Sequence, residues 1–251
     1  MLIIKKNIDF FKYNLTPFFY ISQINNNNNN LFDKSQTKFF NDKLILVDDE
    51  DNKIGEINKL DAHLKKNKNK FPHRAFSVLL FNRKNELLLQ QRSKKKVTYP
   101  LLWTNTVCSH PLNIESENTF DNIKNAVIKR VKYEIGLKTN HDLYNLLTRI
   151  IYRDDNDKKF EEFELDYIFL GKINDKKFNI KNLKKIINKD EIENIKFKNI
   201  NWILNDIKQN SIKYTPWFKL LLNKKGMEID NIIKNNILYQ YKYNGEIINF
   251  I

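Results

Sequence analysis

The apolar residues of this chain change their spacing at Thr119, and that change restricts the fold more than any other feature of the sequence. Before it, short apolar runs alternate with turn-forming clusters. Leu44-Ile45-Leu46-Val47 is followed by Asp48-Asp49-Glu50-Asp51-Asn52 and then by Ile54-Gly55-Glu56-Ile57, which predicts a hairpin. Arg74 to Phe81 and Glu86 to Gln91, joined by Asn82-Arg83-Lys84-Asn85, predict a second. After Thr119, the residues Phe120, Ile123, Val127, Val131 and Glu134 recur at three- and four-residue steps. They share one face of a helix, which Gly136 stops. Strands are then expected over Leu147 to Arg153, Glu161 to Leu170 and Phe197 to Ile203, with helices around Pro216 to Asn223 and in the C-terminal tail. Strands interleaved with helices imply an α/β domain.

Organisation follows from the same pass. Residues 1–42 stand apart, because the run Asn25 to Asn30 cannot bury apolar surface; they are expected to be a disordered tail or a targeting segment. Residues 43–225 form the main domain, and residues 226–251 a C-terminal helical extension packing on it. The single cysteine excludes an internal disulfide framework and fits a reducing compartment. No apolar run approaches the roughly 20 residues that span a bilayer, and no secretory apolar segment begins the chain. A cytoplasmic location is expected, with organelle targeting by the tail as the alternative. The formal charge of +14 invites a nucleic-acid reading, but the lysines are spread along the whole chain rather than clustered. We therefore expect no nucleic-acid partner, no membrane span and a monomer. A small polyanion needs only a few placed cations.

Residues able to do chemistry are few. There are four histidines, and the one cysteine, Cys108, lies two residues before His110. Taken alone, a buried cysteine is usually a small hydrophobe and a lone histidine a satisfied structural residue. In Glu162-Phe163-Glu164-Leu165-Asp166 a strand's period of two puts the three acids on one face and Phe163 and Leu165 on the other. Two carboxylates so placed, with histidines, offer nitrogen and oxygen ligands of the kind Mn, Zn, Fe or Mg takes. Glu134 has two equal readings: paired or cation-binding within the apolar stripe, or at the helix's fraying end in water.

The stretch Thr104-Asn105-Thr106-Val107-Cys108-Ser109-His110-Pro111 closely resembles the cysteine motif of type I isopentenyl-diphosphate isomerases, a family with a Nudix-like fold. Four more segments match in the family's order. Lys59-Leu60-Asp61-Ala62-His63 with His73-Arg74-Ala75-Phe76-Ser77 is similar to its two-histidine region. Leu88-Leu89-Gln90-Gln91-Arg92-Ser93, with Lys96 and Pro100, resembles its diphosphate-binding strand and loop. Glu162 to Ile168 resembles its paired-glutamate strand, and Thr215-Pro216-Trp217-Phe218 its tryptophan motif. The resemblance spans roughly Lys43 to Leu222.

The resemblance implies a Nudix-like α/β/α sandwich with a mixed sheet, and an isomerase of isoprenoid biosynthesis that interconverts isopentenyl and dimethylallyl diphosphates. By position it makes His63, His73, His110, Glu162 and Glu164 ligands of one divalent metal (Mg, Mn or Zn). Cys108 and Glu164 become the acid/base pair, with Tyr152 supporting the glutamate and Trp217 facing the hydrocarbon. Glu134 would hold a Mg²⁺ at the substrate diphosphate, and Lys59, Arg92, Lys96 and the Ser109 backbone would bind that diphosphate. Without the resemblance, Trp217 reads as core and Lys94-Lys95-Lys96 as a solvated loop. Nudix hydrolases would carry glutamates where this chain has Arg130 and Tyr133, which argues against hydrolysis. A catalytically idle binding module is disfavoured because none of the acid/base or metal positions is replaced.

Overall fold

The computed structural model of the chain describes residues 32–155 and 157–251. The asparagine run and the first 31 residues, where a disordered or targeting tail was expected, lie outside them. The described part begins earlier than residue 43. Asp33 caps a short helix α1 (Lys34–Thr37) by accepting from the Ser35 N–H. Phe32 and Phe40 on either side of it pack on each other and with Leu60, Leu64 and Phe160. Three phenylalanines and two leucines are enough apolar surface to fold this segment onto the domain.

Both sequence hairpins form: β1 (Lys43–Val47) with β2 (Lys53–Asn58), and β3 (His73–Asn82) with β4 (Leu87–Arg92). Helix α2 (Lys59–His63) follows β2, and β5 (Trp103–Thr104) and β6 (Val107–Ser109) follow β4. After helix α3 (Ile123–Ile135) come β7 (Asn145–Asp154), β8 (Glu162–Ile173), the short α4 (Ile180–Leu183), β9 (Ile192–Lys198), α5 (Ile200–Gln209), α6 (Pro216–Lys234) and β10 (Ile247–Asn249). The ten strands make one mixed sheet, ordered β10-β7-β8-β3-β1-β2, with β4, β5, β6 and β9 branching from the β3 region.

Strand β3 is buried at every residue, as befits a strand covered on both faces. Phe76, Val78 and Leu80 face one core with Val127, Val131 and Ile135 of α3. Leu79 and Phe81 face the other with Ile203 of α5 and Phe218 and Leu221 of α6. The result is the expected α/β/α sandwich. Gly136 ends α3 with φ 81°, a left-handed conformation that glycine adopts without strain.

Register is what builds the site. β3 runs parallel to β8 and β7 antiparallel to it, so Glu164 of β8 has His73 as one neighbour and Tyr152 as the other. β6 pairs with β3 so that Cys108 lies opposite Ser77. Residues 31 to 91 positions apart in sequence are thereby brought side by side.

Three expectations differ from the structure. Phe120 is not on the helix: the Asn122 N–H bonds back to the Thr119 carbonyl, closing a turn, and α3 starts at Ile123. Phe120 is 47% exposed, with its ring beside Tyr167. The strand expected to reach Ile203 stops at Lys198, because the Asn199 side chain accepts from the Trp202 N–H and starts α5. Residues 226–234 continue α6 rather than forming a separate extension, and beyond Asn235 the helix gives way to β10, which adds to β7 in parallel.

Candidate active site

Three imidazoles converge at one end of the sheet. The ring centroids of His63, His73 and His110 stand 4.8, 5.0 and 4.9 Å apart, and donor atoms of all three lie within 4.8 Å of one another and of a Glu164 oxygen. His63 ends α2, and its Nδ1 donates to the Lys59 carbonyl at 2.7 Å. That bond fixes the tautomer and leaves Nε2 turned to the cluster, 3.1 Å from Glu162 Oε2. His73 Nε2 is buried with no hydrogen-bond partner, 3.6 Å from Glu164 Oε1. His110 Nε2 sits 2.8 Å from the same oxygen.

Burial holds His73, and more strongly His110, below the ordinary imidazole value, so both keep a neutral ring with a lone pair. Burial also opposes charge on His63, but the Glu162 carboxylate outweighs it and lifts that imidazole. Burial alone would raise Glu164; the His110 hydrogen bond and the adjacent His73 imidazole overcome it and hold the carboxyl well below its usual range. An orphaned buried imidazole nitrogen facing two others and a carboxylate is the donor set of a divalent metal. The residues fit such an ion. Glu162 touches the cluster through His63.

Next to this cluster a cavity is lined by both acid/base candidates, Cys108 and Glu164, with Tyr152 and Trp217. The Tyr152 hydroxyl donates to Glu164 Oε2. The Trp217 indole N–H donates to Cys108 Sγ at 3.3 Å, and Ser77 Oγ lies 3.5 Å from that sulfur. Burial, then the Asp166 carboxyl beyond Ser77, pushes the Cys108 thiol up to about 12, so it carries its proton at neutral pH. Asp166 accepts from Ser77 Oγ at 2.7 Å; burial and the Glu164 charge raise its own carboxyl well above the usual range.

The same cavity is rich in cations. Lys59, Arg92, Lys96 and Arg130 all line it, as does Ser109 of β6. The Arg92 guanidinium is held by the carbonyls of Thr98 and Tyr99 and lies over the Trp217 ring at 5.5 Å. Arg130 was visible in the sequence only as a place where a hydrolase carries glutamate; its Nε binds Glu134 Oε1 at 2.6 Å. Glu134 also accepts from Gln90 Nε2 at 3.1 Å. It is buried and paired, which decides between its two sequence readings, and it stands apart from the histidine cluster. Gln36, Phe39 and Phe40, from the segment around α1, also line the cavity and were not anticipated. Nor was Glu191, which sits among the cations without belonging to any motif.

The comparisons with known proteins fit this geometry. The family model of the NUDIX domain matches residues 71–218. An isopentenyl-diphosphate delta-isomerase of Gibberella zeae is 37% identical over 206 residues, covering 78% of this chain and 78% of that protein. The chain belongs to the isopentenyl-diphosphate delta-isomerase family. A family member from Camptotheca acuminata is 40% identical over 197 residues, covering 73% of this chain and 80% of that one. A chloroplastic member from Arabidopsis thaliana is 40% identical over 198 residues, covering 73% of this chain and 66% of that one. Arg130 of α3, where the hydrolase pattern carries a glutamate, lines the cavity here. Among the described residues no helix is long and apolar enough to cross a membrane.

Proposed function

We propose that the chain interconverts isopentenyl and dimethylallyl diphosphates, with Cys108 and Glu164 as the two proton-transferring groups. The observation that carries this reading is that a thiol, a carboxyl and four cationic side chains line one cavity. A C5 diphosphate matches that lining: its phosphates suit Lys59, Arg92, Lys96, Arg130 and the Ser109 backbone, and its double bond Cys108, Glu164 and Trp217.

The reaction moves one proton on and one off, with no change of oxidation state. One group protonates the terminal alkene carbon, leaving a tertiary cation, and the other takes a proton from the carbon nearer the phosphate-bearing methylene. The two residues exchange roles in the reverse direction. Tyr152 holds Glu164 by its hydroxyl, and Trp217 orients the thiol through its N–H. The Trp217 ring bounds the same space, where an aromatic face stabilises a desolvated cation by about 2 kcal/mol. A dry pocket around it would protect the cation from quenching by water.

His63, His73, His110, Glu162 and Glu164 would hold the divalent metal, which would tune the protonation of Glu164. Glu134 would supply an oxygen to Mg²⁺ at the diphosphate; the unpartnered buried Oε1 of the adjacent Gln90 is a second oxygen of the kind Mg²⁺ takes. Proton NMR of purified protein with isopentenyl diphosphate and Mg²⁺, with and without chelator, tests the reading. Metal-dependent formation of dimethylallyl diphosphate supports it, whereas release of phosphate or a monophosphate without isomerisation would overturn it in favour of hydrolysis.

A further inference from the structure

Glu191 is an anion in a site built for anions. Its Oε2 accepts from both Lys96 Nζ at 2.8 Å and Arg130 Nη2 at 2.9 Å, and its Oε1 lies 3.4 Å from Gln36 Nε2. Its side chain is 1% exposed, so these bonds are screened little by water. The backbone fixes the carboxylate independently of its partners. The Glu191 carbonyl accepts from the Ser93 N–H at the start of the loop that carries Lys96. The Glu191 N–H bonds to Asn188, whose own N–H bonds to the Glu134 carbonyl on the helix that carries Arg130. One short turn is thus fastened to both elements whose cations it binds.

We propose that Glu191 is a positioning residue for the diphosphate subsite: it holds Lys96 and Arg130 converged on the cavity against their mutual repulsion. This rests on the reading of the cavity's cations as that subsite. Lys59, Arg92, Lys96 and Arg130 line one cavity, and Glu191 bridges two of them while Glu134 binds Arg130. Free like charges would splay toward solvent, and a shared carboxylate removes that tendency. Its carboxyl is held at about 2, burial opposing and Lys96 and Arg130 prevailing, so the anchor stays charged.

The sign of the effect separates anchoring from competition. If Glu191 merely competed with the diphosphate, Glu191→Gln would tighten binding. As an anchor, it is expected to weaken inorganic pyrophosphate, measured by calorimetry on the metal-loaded protein, about tenfold, and to raise KM for isopentenyl diphosphate more than it lowers kcat. In a Lys96→Gln background the same change should cost much less, because the two residues act as a unit. Glu191→Asp keeps the charge but withdraws it by one methylene, and should weaken pyrophosphate by a smaller factor. Unchanged or tighter pyrophosphate binding in these variants, or full additivity with Lys96→Gln, would overturn the proposal. Pyrophosphate binding is read without turnover: a wild-type protein that binds it but forms no dimethylallyl diphosphate would sink the reaction and leave the anchor standing.

Discussion

The two oxygens of Glu164 are divided between a phenol and an imidazole: Tyr152 donates to Oε2 at 2.5 Å, and His110 Nε2 lies 2.8 Å from Oε1. Burial, reinforced by the Glu164 and Glu162 charges, keeps the Tyr152 hydroxyl protonated far above the ordinary phenol value. Tyr152 therefore holds the carboxyl from the side away from the histidines. Tyr152→Phe should lower kcat by about 10- to 100-fold with bound metal unchanged, which elemental analysis of the purified variant checks alongside the kinetics.

The thiol and the carboxyl are expected to be individually indispensable. Cys108→Ala and Glu164→Gln should each reduce turnover on the order of 10³-fold, a typical loss for a proton-transferring group. Circular dichroism should show the fold retained for Cys108→Ala, since a half-buried side chain is shortened by one sulfur. Near-wild-type turnover in either variant would refute that residue's role.

Removing the metal should cost stability as well as activity. The unpartnered His73 Nε2 and the three clustered rings are strained by desolvation without an ion. Dialysis against chelator is expected to lower the melting temperature, and a divalent metal to restore it in proportion to occupancy. His73→Ala should abolish that metal-dependent shift.

Lys59 gives the substrate affinity a pH dependence of known sign. Burial, then Arg130 and Lys96, hold its ammonium down to about 8, so in the free protein it loses charge above that pH. Binding an anion favours the charged form, and binding above pH 8 must therefore take up a proton. KM should be flat below pH 8 and rise above it, by at most about tenfold per pH unit. Lys59→Arg, charged throughout, should flatten the profile, and initial rates between pH 7 and 10 decide it.

Gly136 supports α3, and through it Arg130 and Glu134. At φ 81° an added Cβ would stand 2.8 Å from the Ile186 carbonyl oxygen. Gly136→Ala should lose about 1–3 kcal/mol, through backbone strain and that clash together. Chemical denaturation measures it; a loss below a few tenths would mean that the turn after α3 relaxes freely.

The hairpins, the apolar stripe of α3, and the alternating acids of β8 were legible in the sequence because each is set by local periodicity and turn chemistry. The same holds for the motif residues His63, His73, Cys108, His110 and Glu164, which carry their resemblance in short stretches. Boundaries failed where one side chain redirects the backbone, as Asn199 does when it caps α5 and as Thr119 does when it closes a turn before α3.

What the tertiary structure alone decided is pairing between distant segments. The parallel register of β3 on β8 sets His73 beside Glu164, and the turn at 188–191 delivers a carboxylate to Lys96, 95 residues away, and to Arg130. It also settles Glu134 as a buried, paired acid rather than one fraying into water. Local patterns specify what a segment becomes; which charges meet depends on how separate segments bury their apolar faces on one sheet, and no short stretch of sequence records that.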